Sequence, residues 1–319
     1  MKKVGCAGIL VSDIFCGPMQ KLPDEGQLLA VEALPTKAGG CAANVAIDLT
    51  KQNIPVEVTG CLGRDPSARV LVASLEENGV SCSRIVSSND FPTSKTVILL
   101  VAGQDRRYIH SFGANAAFTV EDIDRDWVRN LGVFYLGGLF LMPAFDPETF
   151  LDLLHFCHAN QVITVVDVVI PQNLILPQAM RQLLSAIDYF LPNVDEAHRI
   201  TGLPDPMDQL RTMIEWGANT VMITCGNKGV FAGKGHQFWQ AGIFPSETQV
   251  DPSGSGDAFA AGVVTGIVQG WGLPETILYA SALGMSAIRA IGTTDGVFTA
   301  SQAEEFLRKN ELAIRTGFL

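Results

Sequence analysis

The sequence predicts an α/β fold: a mainly parallel sheet covered by helices on both faces, with a smaller sheet standing off it. Three observations carry this. From residue 133 to residue 224, strand-like runs alternate with helix-like runs, the rhythm of successive βαβ units. A hairpin pattern, 96–101 and 106–112 around Gly103-Gln104-Asp105, stands outside that rhythm. The 319 residues, 47% hydrophobic and 17% charged, suffice for a large core in one α/β unit.

Taken in order, 4–11 is an apolar first strand ending at Ser12-Asp13, and ligands gather at the carboxyl ends of such strands. The sequence Met1-Lys2-Lys3-Val4-Gly5-Cys6 has no apolar region ahead of its cysteine, so it is read as the lead into that strand and not as a signal. Residues 14–36 carry Gly17-Pro18, Pro23 and Pro35 and only short apolar stretches, an excursion from the core. Gly39-Gly40 then opens a run of small residues with an apolar stripe, a loop entering a helix packed close to the sheet, with Asn44 one turn in. A strand at 56–61, a helix at 66–78 stopped by Gly79, and a short strand at 85–86 precede the hairpin.

Strands follow at 133–136, at 162–166 ending at Asp167, at 189–191 and at 220–224, separated by helices at 147–159, 177–185, 194–201 and 207–216. A second hairpin, 230–232 with 237–240, and a strand-like run at 247–250 lead to Asp251-Pro252-Ser253-Gly254-Ser255-Gly256-Asp257. Three helices, 258–268, 274–290 and 301–309, finish the chain. The first is apolar nearly all round and therefore buried. Its glycines at 262, 266 and 270 signal close packing on the sheet.

Composition excludes several functions. The net charge of −11 argues against a nucleic-acid partner. No apolar run approaches a membrane span. Seven scattered cysteines without a C-x-x-C pair point to a reduced, cytoplasmic setting without a zinc site. His155 and His158 share a helix face but have no acidic ligand pattern beside them. The phosphate-loop, H-E-x-x-H and G-x-S-x-G patterns are missing.

The chemistry gathers on the glycine turn before the 258–268 helix. Two glycines one residue apart free the backbone, and the first N–H groups of a helix starting there have no intrahelical partner. Such groups form an anion-binding concavity at the positive end of the helix dipole. Asp257 stands in that first turn, where a bound phosphate would repel it unless its task is to take a proton from an attacking group. An ordinary strand–turn–helix with a dipole-favoured aspartate accounts for the same residues without chemistry.

Four stretches together resemble the ribokinase-like (PfkB) family of carbohydrate kinases, across essentially the whole chain. They are Gly39-Gly40-Cys41-Ala42-Ala43-Asn44-Val45-Ala46, continuing to Gly60-Cys61-Leu62-Gly63-Arg64-Asp65; Asn193-Val194-Asp195-Glu196; Thr224-Cys225-Gly226-Asn227-Lys228-Gly229; and the turn at 251–257. The resemblance implies a three-layer ribokinase-like fold over residues 1–319 as a single domain, with a β-sheet lid formed by 14–36 and 90–113. It implies ATP-dependent phosphorylation of a hydroxyl on a sugar or sugar acid, with Asp257 as base and Gly254, Ser255 and Gly256 as anion hole. Asn193 and Glu196 would organise Mg2+ and the phosphates through water; Thr224, Gly226 and Gly229 match the nucleotide loop, and Ser281 the adenine pocket. Asp13, Gly39, Gly40 and Asn44 match the acceptor contacts. Asp251 matches a monovalent-cation ligand, usually for K+, with loop carbonyls from 290–296 completing the site. The lid implies a homodimer.

The chain also departs from that pattern. Pro252-Ser253 replaces the usual Thr-Thr, and proline removes a backbone donor and fixes φ at the entrance to the anion hole. Asp167-Val168-Val169 replaces a D-x-N element, so acceptor contacts there differ. A nucleoside kinase of the same family, and a non-catalytic sugar- or nucleotide-binding protein on the same scaffold, are the alternative readings. Arg106 and Arg107 are read as solvated residues near the hairpin tip, although either has the chemistry to pair an acid group.

Overall fold

A computed structural model describes residues 3–104, 106–171, 174–176, 179–246 and 249–319. The first strand, β1 (Val4–Gly8), is buried along its whole length. The chain then turns at Ile9-Leu10 into a second sheet, so the single strand expected over 4–11 is divided between two sheets. That sheet takes β2 (Val11–Met19) and β3 (Thr36–Gly39). The chain goes on through α1 (Cys41–Lys51), β4 (Val56–Thr59), β5 (Cys61–Gly63), α2 (Pro66–Glu77), β6 (Val86–Ser88), β7 (Lys95–Val101) and β8 (Arg107–Ser111). A short α3 (Arg125–Val128) leads to β9 (Val133–Leu139), α4 (Pro147–Ala159), β10 (Ile163–Val168), α5 (Met180–Ala186) and β11 (Tyr189–Phe190). Next come α6 (Val194–Thr201), α7 (Pro206–Glu215), β12 (Thr220–Thr224), β13 (Val230–Lys234) and β14 (Gln237–Ala241). The chain closes with α8 (Ser255–Gln269), α9 (Leu273–Ala287), α10 (Ala300–Lys309) and β15 (Ile314–Phe318).

Helix starts follow local chemistry. Asp65 caps α2 by accepting the Ala68 N–H, and Asp146 caps α4 by accepting the Thr149 N–H, each with proline at the first helical position. Asn193 and Glu196 form a reciprocal capping box on α6.

The main sheet has the order β15-β14-β13-β12-β11-β10-β9-β1-β4. From β4 to β12 every neighbour is parallel; β13, β14 and β15 add antiparallel. Period-two alternation divides each strand between two cores. Val133 and Tyr135 of β9 pack with α1, α8 and α9 on one face, while Phe134 and Leu136 pack with α4, α5 and α7 on the other. With both faces covered, the open ends of β1, β9, β10, β11 and β12 are left to line a site. The second sheet, β3-β2-β7-β8, stands beside those ends.

Three further expectations need correction. A strand, β15, follows the last helix and pairs with β14; its pattern IRTGF has only partly buried and exposed residues, so hydrophobic periodicity could not mark it. The strand expected at 247–250 is absent at Gln249 and Val250, and Glu247 and Thr248 lie outside the described residues. The helix expected at 177–185 begins at Met180, with Pro177 and Gln178 outside the described residues. Asp105, at the tip of the β7–β8 hairpin, also lies outside them. Among the described residues, no helix is long and apolar enough to cross a membrane.

Candidate active site

Gly254 makes the turn into α8. Its φ of 78° is left-handed, and a Cβ there would meet the Thr293 carbonyl oxygen at 1.9 Å, so only glycine fits. The first intrahelical bond runs from the Ala258 N–H to the Gly254 carbonyl at 2.8 Å, so Gly256 and Asp257 sit where helix N–H groups face outward. Gly256 has open space in the direction of a Cβ.

Asp257 faces a cleft of about 660 Å³ lined by Asp13, Asn44, Asp167, Asn193, Glu196 and the 252–256 turn. Asn44 Nδ2 donates to Asp257 Oδ2 at 2.7 Å, and Cys41 makes a second side-chain hydrogen bond to the same carboxyl group. Burial raises the Asp257 pKa, and these two bonds oppose the rise. Asp13 is raised to about 7 by burial, against a bond from Thr96 and with a further push from Asp257. Glu196 is raised to about 7, again mainly by burial. Asp167 is raised well above the usual carboxylate range by burial, then by Asp257 and Glu196. The cleft is thus a crowd of carboxyl groups that share one negative field.

Other sequence-predicted residues fall into place around it. Gly39 supports Asp13 from behind, since a Cβ there would lie 1.9 Å from Asp13 Oδ2. Gly40, at φ 88°, passes under the Ile9 carbonyl and starts α1. Asn193 is paired by a parallel bridge to Thr224, which brings the α6 capping box beside β12. Thr224, Gly226, Gly229 and Ser281 line an adjoining cavity of about 280 Å³ together with Phe244, Gly284 and Met285. The two cavities share Thr224, Pro252, Ser255, Gly256 and Phe259, so the N-terminus of α8 is their common wall. Gly229 has φ 86° and packs on the Ala241 carbonyl, which shapes that loop. Asp251 is set apart. It is fully buried, and its two oxygens accept the Ser253 N–H at 3.0 Å and the Gly292 N–H at 3.2 Å.

The residues present fit a nucleotide and a hard cation. An open helix N-terminus suits phosphate, and the Glu196 carboxylate offers an oxygen donor of the kind magnesium takes through water. A buried carboxylate beside the loop that follows α9 suits a monovalent cation, although the Ile291 and Thr294 carbonyls already accept Lys37 and Lys51 ammonium protons.

Some wall residues were not foreseen. Arg106, Tyr108, His110 and Phe112 alternate along β8 and its flanks, and all four face the cleft, whereas Arg107 is exposed and donates to Gln104. The period-two pattern carried that signal. Cys41 lies three residues before Asn44, hence on the same helical face. Thr293 had no local signal at all.

Comparison with known proteins decides the family. The pfkB family of carbohydrate kinases matches residues 1–300. The chain belongs to that family. Its members are phosphotransferases with alcohol acceptors. The chain is 27% identical over 294 residues to the ribokinase of Arabidopsis thaliana, covering 88% of this chain and 74% of that protein. The structure of that ribokinase complexed with ribose and ATP superposes with a TM-score of 0.82 at 24% identity, over 96% of this chain and 99% of the other. A 2-dehydro-3-deoxygluconokinase of Bacillus subtilis (strain 168) is 25% identical over 293 residues, covering 88% of this chain and 90% of that protein. A putative ribokinase II of E. coli in complex with ATP and Mg2+ shares the fold at a TM-score of 0.83 and 18% identity, over 97% and 100% of the two chains.

Proposed function

We propose that this pfkB family member phosphorylates a hydroxyl of a sugar or sugar acid, with Asp257 as general base. The observation that carries the reading is the placement of the Asp257 carboxylate. It sits in the first turn of α8, next to outward-facing N–H groups, and lines the cleft of about 660 Å³ beside Ser255 and Gly256, which that cleft shares with the adjoining cavity. ATP, when bound with magnesium, supplies the phosphoryl group. Asp257 would take the acceptor hydroxyl proton as that oxygen bonds to the γ-phosphorus and the bond from that phosphorus to the ADP oxygen breaks, ADP leaving. The N–H groups of Gly254, Ser255 and Gly256 hold the charge that develops on the phosphoryl oxygens. Asp13, Gly40 and Asn44 orient the acceptor, with Gly39 giving Asp13 its room. Asn193 and Glu196 serve the magnesium–phosphate end, while Thr224, Gly226, Gly229 and Ser281 enclose the base end of the nucleotide.

The same reading makes β3-β2-β7-β8, over 14–36 and 90–113, the lid of a single kinase domain spanning 1–319. Leu28, Leu29, Leu34 and Ile109 are exposed apolar residues on it, which supports a homodimer paired through the lid. Asp251 with the 290–296 loop is proposed to hold K+, in which case Asp251→Asn removes any potassium response of the rate. We place the enzyme in the cytoplasm, a reducing setting that suits its seven free cysteines.

The test is ADP release with Mg2+ and K+ across pentoses, hexoses, 2-keto-3-deoxy acids and nucleosides. Turnover of at least one sugar or sugar acid is expected. Turnover of nucleosides alone moves the protein to the nucleoside-kinase reading, and acceptor-dependent ADP release from none of them leaves only a binding protein.

A further inference from the structure

Asn44 uses both ends of its side-chain amide. Nδ2 donates to Asp257 Oδ2 at 2.7 Å, and Oδ1 accepts the Thr293 hydroxyl at 2.8 Å. Both Asn44 and Thr293 are buried, at 3% and 6% exposure, so water competes little for these bonds. We propose that Thr293 is a positioning residue for phosphoryl transfer: its hydroxyl holds the Asn44 amide in the orientation that donates to Asp257. The inference rests on the reading of Asp257 as the base.

An amide can face a carboxyl group in two ways. With the nitrogen toward it, the amide donates and favours the carboxylate, the form that can accept a proton. Turned over, it presents an oxygen, which favours the protonated acid. The choice matters here because the groups around Asp257 give the carboxylate little help. Asp13 from β2, Asp48 lower on α1 and Asp167 at the end of β10 each feel its charge as repulsion. So do Glu196 on α6 and Tyr135 on β9, while Arg106 lines the far side of the cleft. Cys41 supplies the other donor. Thr293, by donating to Oδ1, ties the amide down in the orientation that favours the base.

Thr293 is itself held firmly. Its carbonyl packs against Gly254, the Gly292 N–H before it bonds Asp251, and the Lys51 ammonium bonds the Thr294 carbonyl after it. Lys37 Nζ bonds the Ile291 carbonyl at 2.8 Å. One loop residue therefore sets the anion-hole turn with its backbone and the base with its side chain.

The experiment compares Thr293→Val, which keeps the shape and removes the donor, with Thr293→Ser, which restores it. Two readouts are taken. One is the 13Cγ NMR titration of Asp257 in the ligand-free protein, assigned by its loss in Asp257→Asn; the other is the pH profile of kcat/KM. In Thr293→Val both the titration and the acid limb are expected at higher pH than in wild type. Turnover near neutrality should fall by about tenfold, the worth of one hydrogen bond, with KM for ATP unchanged and Thr293→Ser matching wild type. An Asp257 titration unmoved in Thr293→Val, or an activity loss equal at every pH, overturns the proposal. If wild type phosphorylates no acceptor, the base reading fails, while the NMR titration still decides whether Thr293 governs Asp257.

Discussion

The Thr293 carbonyl oxygen stands 1.9 Å from where a Cβ on Gly254 would be, although the two are 39 positions apart in the chain, with α8 and α9 between them. Gly254→Ala must therefore both hold a left-handed backbone and displace that carbonyl. The strain alone costs about 1–3 kcal/mol. The shifted turn should lower turnover by about 10²–10³-fold, as for loss of an oxyanion donor. Thermal melting and steady-state kinetics read the two effects separately. A variant with wild-type turnover and Tm contradicts the packing described.

Asp257→Asn removes the proton acceptor and keeps the shape. Turnover is expected to fall by about 10²–10⁴-fold, the usual worth of general base catalysis. ATP affinity by calorimetry should stay near wild type. Unchanged turnover would remove Asp257 from the chemistry.

The pH dependence follows from the raised carboxyl pKa values. Asp13 and Glu196 lie at about 7, and Asp257 is raised as well. The base must be ionised, so the acid limb of kcat/KM is expected above the ordinary carboxylate value near 4. For stability the sign is the reverse. A carboxyl group raised by folding contributes fully below its unfolded pKa, and that contribution is lost as pH rises toward 7. The Tm advantage of Asp13→Asn over wild type, in the absence of ligand, should thus grow from pH 4 to pH 8. A constant difference would mean that Asp13 titrates normally.

Asp48 makes a second case. It is fully buried on α1, neither carboxyl oxygen has a hydrogen-bond partner among the described residues, and Lys51 Nζ comes no nearer than 3.9 Å. Burial raises its pKa well above the usual range. Asp48→Asn removes the ionisable group, and Lys51 keeps its bond to the Thr294 carbonyl. The variant should be more stable than wild type by about 1–3 kcal/mol at pH 8, because burial disfavours the carboxylate charge and the neutral amide carries none, with the gain vanishing near pH 4. Denaturant unfolding at the two pH values measures it. A destabilised Asp48→Asn would show that the carboxylate has a function in the ionised form.

Ser281 tests the nucleotide end. It lines the cavity of about 280 Å³, and phenylalanine there would fill space needed by a base. Ser281→Phe should raise KM for ATP by about tenfold or more, consistent with overpacking costs of 1–3 kcal/mol. KM for the acceptor should not change. An equal rise in both would place Ser281 elsewhere in the mechanism.

The sequence by itself determined most of the sheet and much of the site's membership. Alternating β and α runs from 133 to 224 foretold the parallel strands, because period-two and 3.6-period burial are written in local order. Glycine at 40 and 254 was legible because no other residue takes those backbone angles easily. Asp257 was legible as a carboxylate in the first turn of a helix, whereas Asn193 and Glu196 were marked by the resemblance and their capping box by the structure. The tertiary structure alone decided what those groups touch. β15 is held by pairing with β14, not by its own apolar pattern. Thr293 meets Asn44 across 249 residues, and Arg106 turns into the cleft because β8 pairs with β7 in one register. Carboxyl groups on α1, β2, β10 and α6 feel the charge of Asp257 on α8 only once the fold brings them near it. Burial and electrostatic coupling depend on distance in space, and local sequence order does not encode that distance.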